Sequence, residues 1–461
     1  MSVHSAANMT GEKAAYKHPV FWVPTSYFAE GVIYITVTLV SAIMLKNLGL
    51  SNEAAAGYAS SLTLPYVIKP LWAPLLEMFK TKKFFVILMQ LVLAAALAGI
   101  ALVLPMKAFL VPALVLFWIC GFSGATMDIG TDGVYVTTLP AKRQAAFAGV
   151  QSMAWSIGPI VASGVLLSAT GYLHDEKQMG YATAWMIIFF IIAGMLLLMS
   201  VYHSAILPPG AKAKDAPKDV GDAMRTFGKA FVTFFQKKDI WLMIAFAYLF
   251  RFGIGLLDKM GPIFLIDKPE AGGLGLSNQV LGNIIGTFGT AGFLVGSLLG
   301  GLFVAKTGLK RVLFFLCLCI NIPNLTFVYL SQTMPTSSTL VTVIVTIEKF
   351  GYGFGAVGHM LYMMQQIAPG PYKTAHYAFA TGFMGLCMMT TGMASGFIQA
   401  AVGYQWFFII VMICAIPSLL ATWFAPFHQS EKDGGGDDEP EPGEGGEKAA
   451  EAEKAEEPAA E

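Results

Sequence analysis

Residues 109–133 read FLVPALVLFWICGFSGATMDIGTDG, an apolar run that ends in two aspartates, Asp128 and Asp132. At a spacing of four positions, these two carboxylates share one face of a helix. A carboxylate at the end of a membrane span is costly unless it faces a partner or a water-filled cavity. The stretch therefore predicts a membrane helix that carries charge into an internal cavity, as a transporter requires.

The composition extends this prediction to the whole chain. Of the 461 residues, 56% are hydrophobic and 13% are charged, and the formal net charge is zero. A soluble globular chain carries about 25% charged residues. Most of this chain is therefore expected to contact lipid.

Apolar runs of the length that a bilayer core requires, about 20 residues, predict twelve membrane helices. The predicted bounds are 21–45, 57–76, 84–104, 109–127, 145–169, 181–202, 240–266, 281–305, 312–330, 339–364, 375–401 and 406–426. The first helix is expected to remain as an anchor, because its apolar run is too long for a cleaved signal peptide.

Successive loops alternate between few and many lysines and arginines, and this alternation sets the predicted orientation. One side of the membrane holds only Lys46, Lys107, Lys177 and Lys268. The other side holds Lys13, Lys17, Lys80, Lys82, Lys83, Lys142, Arg143, Lys212, Lys214, Lys218, Arg225, Lys229, Lys237, Lys238, Lys306, Lys310, Arg311 and Lys373. Because cytoplasmic loops retain positive charge, both termini are predicted to be cytoplasmic.

A long polar segment divides the twelve helices into two sets of six, the arrangement expected of repeats around a central site. Within it, residues 222–235 are predicted to form a short amphipathic helix. After residue 431 the chain is rich in Gly, Glu, Asp and Pro and is expected to be disordered. The predicted parts are a cytoplasmic segment 1–20, an N-terminal half 21–203, a cytoplasmic linker 204–238, a C-terminal half 239–426 and an acidic tail 427–461.

The sequence carries no pattern typical of a catalytic or metal site. All five cysteines fall within apolar spans, without the spacing of a metal site or a disulfide framework. There is no His-x-x-x-His pair, no Gly-x-Ser-x-Gly elbow and no phosphate-binding Gly-x-x-x-x-Gly-Lys-(Ser/Thr) loop. We therefore expect no enzyme activity, no cofactor and no metal.

Four motifs resemble one family of permeases. Residues 65–77, PYVIKPLWAPLLE, resemble the Lys-x-Leu-Trp-(Ser/Ala)-Pro-Leu-x-(Asp/Glu) signature of AmpG-like permeases, the muropeptide and acetyl-CoA transporter branch of the major facilitator superfamily. Residues 125–133, ATMDIGTDG, are similar to the fourth-helix (Ser/Ala)-x-Gln-Asp-Ile-x-x-Asp-(Ala/Gly) stretch. Residues 28–31, FAEG, and 348–355, EKFGYGFG, resemble the first-helix Phe-Ala-x-Gly and the tenth-helix Glu-Asn-x-x-x-Gly-x-Gly.

The resemblance implies an all-α bundle of the major facilitator type, in which helices one, four, seven and ten line a central cavity. Met127 departs from the family pattern, which has Gln there, and Lys349 stands where the family often has Asn. The family's substrates include amino-sugar disaccharides, acyl-CoA and siderophores, and the resemblance does not choose among them.

Ionisable residues within membrane spans usually face the bundle interior and mark substrate or proton pathways. A carboxylate desolvated in such a cavity can bind and release a proton near neutral pH. A structural ion pair, or core packing for the aromatic rings, is the alternative for each position. The predicted substrate and proton pathway is Glu30, Asp128, Arg251, Glu348, Lys349, Trp72, Trp155 and Tyr352, and the predicted gate or structural residues are Lys69, Glu77, Asp132 and Asp258.

Together these patterns predict a proton-coupled permease of the inner membrane. It would import a glycan-derived solute, such as an amino-sugar disaccharide or anhydromuropeptide, by alternating access. Its expected partners are the small-molecule substrate, protons and the lipid bilayer, without nucleic acid. Two alternatives stay open: a non-transporting sensor or receptor on the same fold, and a permease for a siderophore or acyl-CoA.

Overall fold

The computed structural model describes residues 18–73, 76, 81–210, 220–370 and 372–428. These residues form helices and connecting loops, with no strand in any of the described ranges. Most of the predicted segment 1–20, part of the linker 204–238, Glu77, and the tail 427–461 beyond His428 lie outside the described residues. The predicted all-helical class is confirmed.

Ten helices of the described chain are long and apolar enough to cross a membrane. We label them α1 (Pro19–Asn47), α3 (Lys82–Val103), α4 (Leu110–Thr138), α5 (Gly149–Asp175), α6 (Tyr181–Ile206), α7 (Ile240–Ile266), α8 (Asn278–Thr307), α9 (Leu309–Thr333) and α10 (Ser338–Ile367), the tenth being Lys373–Trp423. Gly403 interrupts this last helix with a φ of 76°, a conformation that favours glycine, so it comprises α11 (373–402) and α12 (404–423).

The remaining predicted span, α2, is divided into three short segments, Asn52–Ser61, Leu64–Ile68 and Lys69–Leu71. Pro65 is the second residue of the second segment, and Pro70 is the second residue of the third segment. Proline lacks the amide hydrogen that would continue the preceding helix. With α2 included, the structure contains all twelve predicted helices, and the linker contains the predicted amphipathic helix at Val220–Phe235.

Hydroxyl side chains cap the N-termini of several of these helices. Ser51, Thr81, Ser277 and Ser337 each accept a hydrogen bond from the amide three residues later, at 3.2 to 3.3 Å. Such caps satisfy amide groups that the first helical turn leaves free. At these four positions the hydroxyl residue marks the end of the loop and the start of the helix.

Helix α4 is longer than predicted, and this corrects the position of its two aspartates. It continues to Thr138, so Asp128 and Asp132 lie inside the helix, not at its end. Gly130 and Thr131 do not stop the helix, and both are buried. The interior position is tolerated because each aspartate has a partner on another helix: Lys69 for Asp128 and Tyr27 for Asp132.

Glycines allow close packing within each half. We call α1–α6 the N-terminal half and α7–α12 the C-terminal half. A Cβ added to Gly31 of α1 would lie 2.1 Å from the carbonyl oxygen of Trp155 on α5. In the other half, a Cβ on Gly296 of α8 would lie 2.1 Å from the carbonyl oxygen of Phe350 on α10. Close helix contact at these two positions thus requires glycine.

Large apolar side chains cover the outside of the bundle. Leu198, Val111, Trp241, Leu298 and Trp423 are each at least 65% exposed. Exposed apolar surface of this extent is unfavourable in water and suits contact with lipid tails. The outer surface agrees with a multi-pass membrane protein.

The polar contacts between the two halves lie on one side of the bundle. We call the face at which α1 begins the proximal face and the face at which α1 ends the distal face. Among the described residues, the hydrogen bonds and ion pairs between the halves join Lys46 to Asp267, Asn47 to Asn278, Asn52 to Asp267, Gln399 and Tyr404, Ser168 to Gln279, and Thr38 to Lys259. All lie between the middle of α1 and the distal face, so the halves are closed together there.

Candidate transport site

A cavity of about 480 Å³ lies between the two halves. Pockets for small molecules commonly span about 300 to 1,000 Å³. Its wall comes from α1, α2, α4 and α5 of the N-terminal half and from α7 to α11 of the C-terminal half. The four helices that the resemblance places around a central cavity, α1, α4, α7 and α10, are all among them.

Eight of the twelve predicted site residues line this cavity. They are Glu30, Lys69, Asp128, Trp155, Arg251, Asp258, Lys349 and Tyr352. Trp72, Asp132 and Glu348 do not line it, and Glu77 lies outside the described residues. The structure thus brings together residues from both predicted groups, and their roles in transport stay predictions.

Glu30 is held on α1 without a partner for its charge. The residue is 5% exposed, and its Oε1 atom is buried and accepts no hydrogen bond from the described residues. No lysine or arginine of the described chain forms an ion pair with it. The adjacent Gly31 packs against the backbone of α5, which fixes this turn of α1. A buried carboxylate without a cation is costly as an anion, and binding a proton removes that cost.

The other two acids of the N-terminal half have partners. Asp128 on α4 pairs with Lys69, which stands at the start of the last short segment of α2. Asp132, one turn further along α4, accepts a hydrogen bond of 2.7 Å from the hydroxyl of Tyr27 on α1. These contacts connect α1, α2 and α4 beside the cavity.

The C-terminal half places cations and an aromatic ring together. Nη1 of Arg251 lies 3.2 Å from the hydroxyl of Tyr352, and the guanidinium carbon lies 5.5 Å from the centre of that ring. The ammonium group of Lys349 lies 5.7 Å from the same ring centre and 3.1 Å from the carboxylate of Glu348. Both cations lie within reach of a cation–π attraction to Tyr352.

A second ion pair of this half also connects the two halves. Lys259 on α7 lies 3.0 Å from the carboxylate of Asp258, and it donates a hydrogen bond of 2.7 Å to the carbonyl oxygen of Thr38. Thr38 lies in a π-helical turn of α1, Thr36–Val40. Such turns occur often at functional sites.

Aromatic side chains form one wall of the cavity. The rings of Tyr34 and Tyr66 meet edge to face at 5.1 Å, and Tyr34 lies 5.9 Å from Trp155. Trp72 lies elsewhere: its ring contacts Phe122, and its Nε1 donates to the hydroxyl of Thr126 at 3.3 Å. The sequence prediction missed Tyr34 and Tyr66, although they stand one helical turn from Glu30 and Lys69 and so share their faces.

A polar cluster at the distal face was also missed; we call it the distal cluster, comprising Lys46, Asn52, Asp267, Gln399 and Tyr404. The carboxylate of Asp267 lies 3.0 Å from Lys46 and accepts hydrogen bonds from Asn52 and Tyr404 at 3.1 and 2.9 Å. Burial opposes ionisation of Asp267, but these hydrogen bonds and the charge of Lys46 outweigh it and hold the pKa of Asp267 below its usual range. The ionised carboxylate therefore favours the closed distal face.

A cavity lined by opposed charges, between two halves of a twelve-helix membrane bundle, is typical of transporters that move a solute through a central site. Comparison with known proteins identifies the family. The sequence model of the Major Facilitator Superfamily matches residues 24–390. The chain belongs to this superfamily, which is a family of transporters and not of enzymes, and its substrates are small molecules.

Relatives of known name agree with the resemblance found in the motifs. The chain is 22% identical over 402 residues to "Putative transporter AmpG 4" of Rickettsia conorii, covering 85% of this chain and 92% of the relative. It is 23% identical over 398 residues to the anhydromuropeptide permease of Escherichia coli K12, covering 83% of this chain and 74% of the relative. The predicted likeness to AmpG-like permeases is confirmed.

Solved structures support the fold. The nucleoside transporter NupG matches with a TM-score of 0.67 at 14% identity, covering 87% of this chain and 97% of that one. A D-xylose–proton symporter matches with a TM-score of 0.68 at 13% identity, covering 90% and 98%. At these identities the likeness establishes the major facilitator fold alone.

Proposed function

We propose that this chain is a secondary active transporter that imports a glycan-derived solute across the inner membrane, driven by protons, by alternating access. One observation carries the proposal: the cavity between the halves combines an unpaired buried carboxylate, Glu30, with an aromatic wall and is closed on one face. A proton site beside a substrate site is the minimum that a symporter requires.

The orientation of transport rests on the loop charges. With both termini cytoplasmic, the proximal face is the cytoplasmic face and the distal face is the outer one. The contacts that join the halves lie toward the distal face, so this conformation faces inward. Import requires the distal cluster to separate and the halves to close at the proximal face instead.

Glu30 is the candidate coupling site. It would accept a proton when the cavity opens outward and release it when the cavity opens inward, because its exposure to water differs between the two states. The ion pair of Asp128 and Lys69 lies beside it and provides charges that a polar solute can engage.

The aromatic wall supports a sugar as the substrate. Tyr34, Tyr66 and Trp155 present ring faces and edges to the cavity, and the apolar face of a pyranose packs well on such rings. The volume of about 480 Å³ is in the range for a ligand of disaccharide size. A relative named for anhydromuropeptide transport points the same way.

Purified protein in proteoliposomes tests this proposal. The probe is the radiolabelled disaccharide of N-acetylglucosamine and anhydro-N-acetylmuramic acid, with counterflow measured first without any gradient and uptake then measured with the outside acidic. We expect counterflow, and uptake that a protonophore abolishes. Binding without counterflow would instead identify a sensor, and uptake that follows sodium at constant pH would remove the proton from the mechanism.

A matched pair of variants assigns the effect to the cavity. Glu30→Gln removes the unpaired carboxylate, whereas Asp175→Asn removes an exposed carboxylate from the last residue of α5. Only Glu30→Gln should lose the response to the proton gradient. An equal loss in both variants would mean that the gradient acts elsewhere in the protein.

A further inference from the structure

The charges around the cavity are paired with one exception in each half. Three cations have a carboxylate within 4 Å: Lys69 pairs with Asp128, Lys259 with Asp258 and Lys349 with Glu348. Arg251 has no such carboxylate anywhere in the described chain, and Glu30 has no such cation. The C-terminal half thus presents a guanidinium that no described carboxylate contacts within 4 Å.

Arg251 also has unused hydrogen-bond donors. A guanidinium carries five N–H groups, and Nη1 is the atom that contacts the hydroxyl of Tyr352. Its Nε atom is buried and has no acceptor among the described residues. Leaving a buried charged donor without an acceptor is costly. An anionic group in the cavity would supply both the missing acceptor and the missing charge.

The backbone at this position supports the same interpretation. Helix α7 is interrupted between Leu249 and Phe252, and Arg251 has the non-helical angles φ −107° and ψ 21°. The second segment of α7, Phe252–Ile266, therefore begins next to the cavity. The start of a helix carries partial positive charge, and broken helices in transporters often direct such ends toward anionic groups of the substrate.

Lys349 and Tyr352 complete the arrangement. The ammonium group of Lys349 lies 5.7 Å from the centre of the Tyr352 ring, and Lys349 lines the cavity although its ammonium contacts Glu348. Tyr352 offers a hydroxyl that already meets Arg251. An oxyanion at this point could accept from the guanidinium and from the phenol while remaining near a second cation.

We propose that Arg251, Tyr352 and Lys349 form a subsite for an oxyanion of the substrate, either a carboxylate or a phosphate. This inference rests on the proposed transport function and adds the substrate's charge to it. Arg251 is the specificity-determining residue, because its planar fork can hold two oxygens at once. A neutral sugar of the same size would leave it unpaired and should bind less tightly.

Two forms of one disaccharide and one phosphorylated monosaccharide test the subsite. The probes are the carboxylated disaccharide used above, its uncharged methyl ester, and N-acetylglucosamine 6-phosphate, each measured by titration calorimetry with detergent-purified protein and by counterflow. We expect wild-type protein to bind the carboxylated disaccharide about ten- to a hundredfold more tightly than the ester, the range for a hydrogen-bonded charged group. Preferential binding of the phosphate would assign the subsite to phosphorylated sugars.

Variants of Arg251 separate this subsite from general damage to the cavity. Arg251→Gln should remove the preference for the anion, so that acid and ester bind with equal affinity, and Arg251→Lys should restore only part of the preference because the fork is lost. Arg311→Gln, an exposed arginine at the start of α9, is the control and should keep the full preference.

The outcomes distinguish the subsite from the proposed function. If wild-type protein transports acid and ester equally well and Arg251→Gln does the same, the subsite is refuted and the transport function stands. If the wild-type protein exchanges none of the three probes, the proposed function fails and the subsite fails with it. Anion preference that survives in Arg251→Gln would also overturn the assignment.

Discussion

Removing the charge of Asp267 is expected to open the distal face. Two contacts to its carboxylate cross between the halves: the ammonium of Lys46 at 3.0 Å and the amide of Asn52 at 3.1 Å. Truncating one partner of a buried hydrogen-bonded charge pair costs about 2–5 kcal/mol. Because Lys46 is 19% exposed and water replaces the contact on opening, we expect the lower end for Asp267→Asn. About 2 kcal/mol changes the ratio of closed to open protein about thirtyfold.

Spin labels on two distal loops measure that ratio. Glu176 and Glu270 are exposed and belong to opposite halves, so Glu176→Cys and Glu270→Cys can be labelled after the native cysteines are replaced. Double electron–electron resonance should give one short distance between the two spin labels in the parent protein and a large population at a longer distance in Asp267→Asn. Asp175→Asn, an exposed carboxylate at the same face, is the control. Identical distance distributions in all three proteins would refute the reasoning.

Acid should act on the parent protein in the same direction. The pKa of Asp267 lies below its usual range in the closed state, whereas an open face would expose the group to water. A carboxylate with a lowered pKa stabilises the closed state above its ordinary pKa, and this stabilisation is lost as the pH falls through the lowered value. Acidification below about pH 4, the ordinary range of Asp, should therefore lengthen the distance in the parent protein and have little effect in Asp267→Asn.

Three further predictions follow from the cavity and the interface. A Cβ on Gly286 of α8 would lie 2.0 Å from the backbone nitrogen of Gly164 on α5, so Gly286→Ala should hinder closure of the distal face at a cost of about 1–3 kcal/mol and slow counterflow. Gly301→Ala in the same helix is the control, because a Cβ there would meet open space. Equal counterflow rates in the two variants would contradict this prediction. Impermeant reagents applied to intact cells should label Gln178→Cys and not Asp215→Cys, and labelling at 215 would reverse the orientation. If one proton enters with each substrate that carries one negative charge, no net charge crosses the membrane, so initial uptake should not depend on a membrane potential set with potassium and valinomycin. A rate that rises with the potential would contradict this one-to-one stoichiometry.

The sequence predicted the features that follow from local chemistry. Twelve apolar runs correspond to twelve helices, because backbone in a bilayer must satisfy its own hydrogen bonds and each span must be apolar over about 20 residues. The linker helix Val220–Phe235 was likewise predicted from its pattern. Boundaries were less accurate: α4 extends eleven residues past its predicted end at 127, because no proline follows until Pro140.

Pairing between distant residues could not be predicted from the sequence. Lys69 and Asp128 are separated by 59 positions, and nothing in either motif says that they meet. Glu348 and Lys349 show a related difficulty: both were predicted to face the pathway, yet only Lys349 lines the cavity. Neighbouring positions in a helix point about 100° apart, so an adjacent pair can be divided between the cavity and the packed interior, as Glu348 and Lys349 are, although Asp258 and Lys259 both line the cavity.

The distal cluster was hidden for a different reason. Lys46 and Asp267 stand where spans end, and at such positions a charge is ordinarily in contact with water and indicates only topology. Their partners Asn52, Gln399 and Tyr404 are polar residues of ordinary kinds. Only the folded arrangement shows that α1, α2, α7, α11 and α12 bring these five side chains to one point.

A proton on Glu30 and an oxyanion on Arg251 would change the formal charge of the cavity in opposite directions. Its lining contains the cations Lys69, Arg251, Lys259 and Lys349 and the acids Glu30, Asp128 and Asp258, and Glu348 pairs with Lys349 just behind the wall. With all eight of these groups ionised, their formal charges cancel; Asp132, which accepts a hydrogen bond from Tyr27, lies outside the lining. A proton on Glu30 adds one positive charge and a monoanion on Arg251 adds one negative charge, so the occupied cavity also sums to zero. Either ligand alone would leave a net charge in a low-dielectric site, which is costly. Each ligand therefore favours binding of the other, and coupling follows from charge balance even though the two sites lie on different halves.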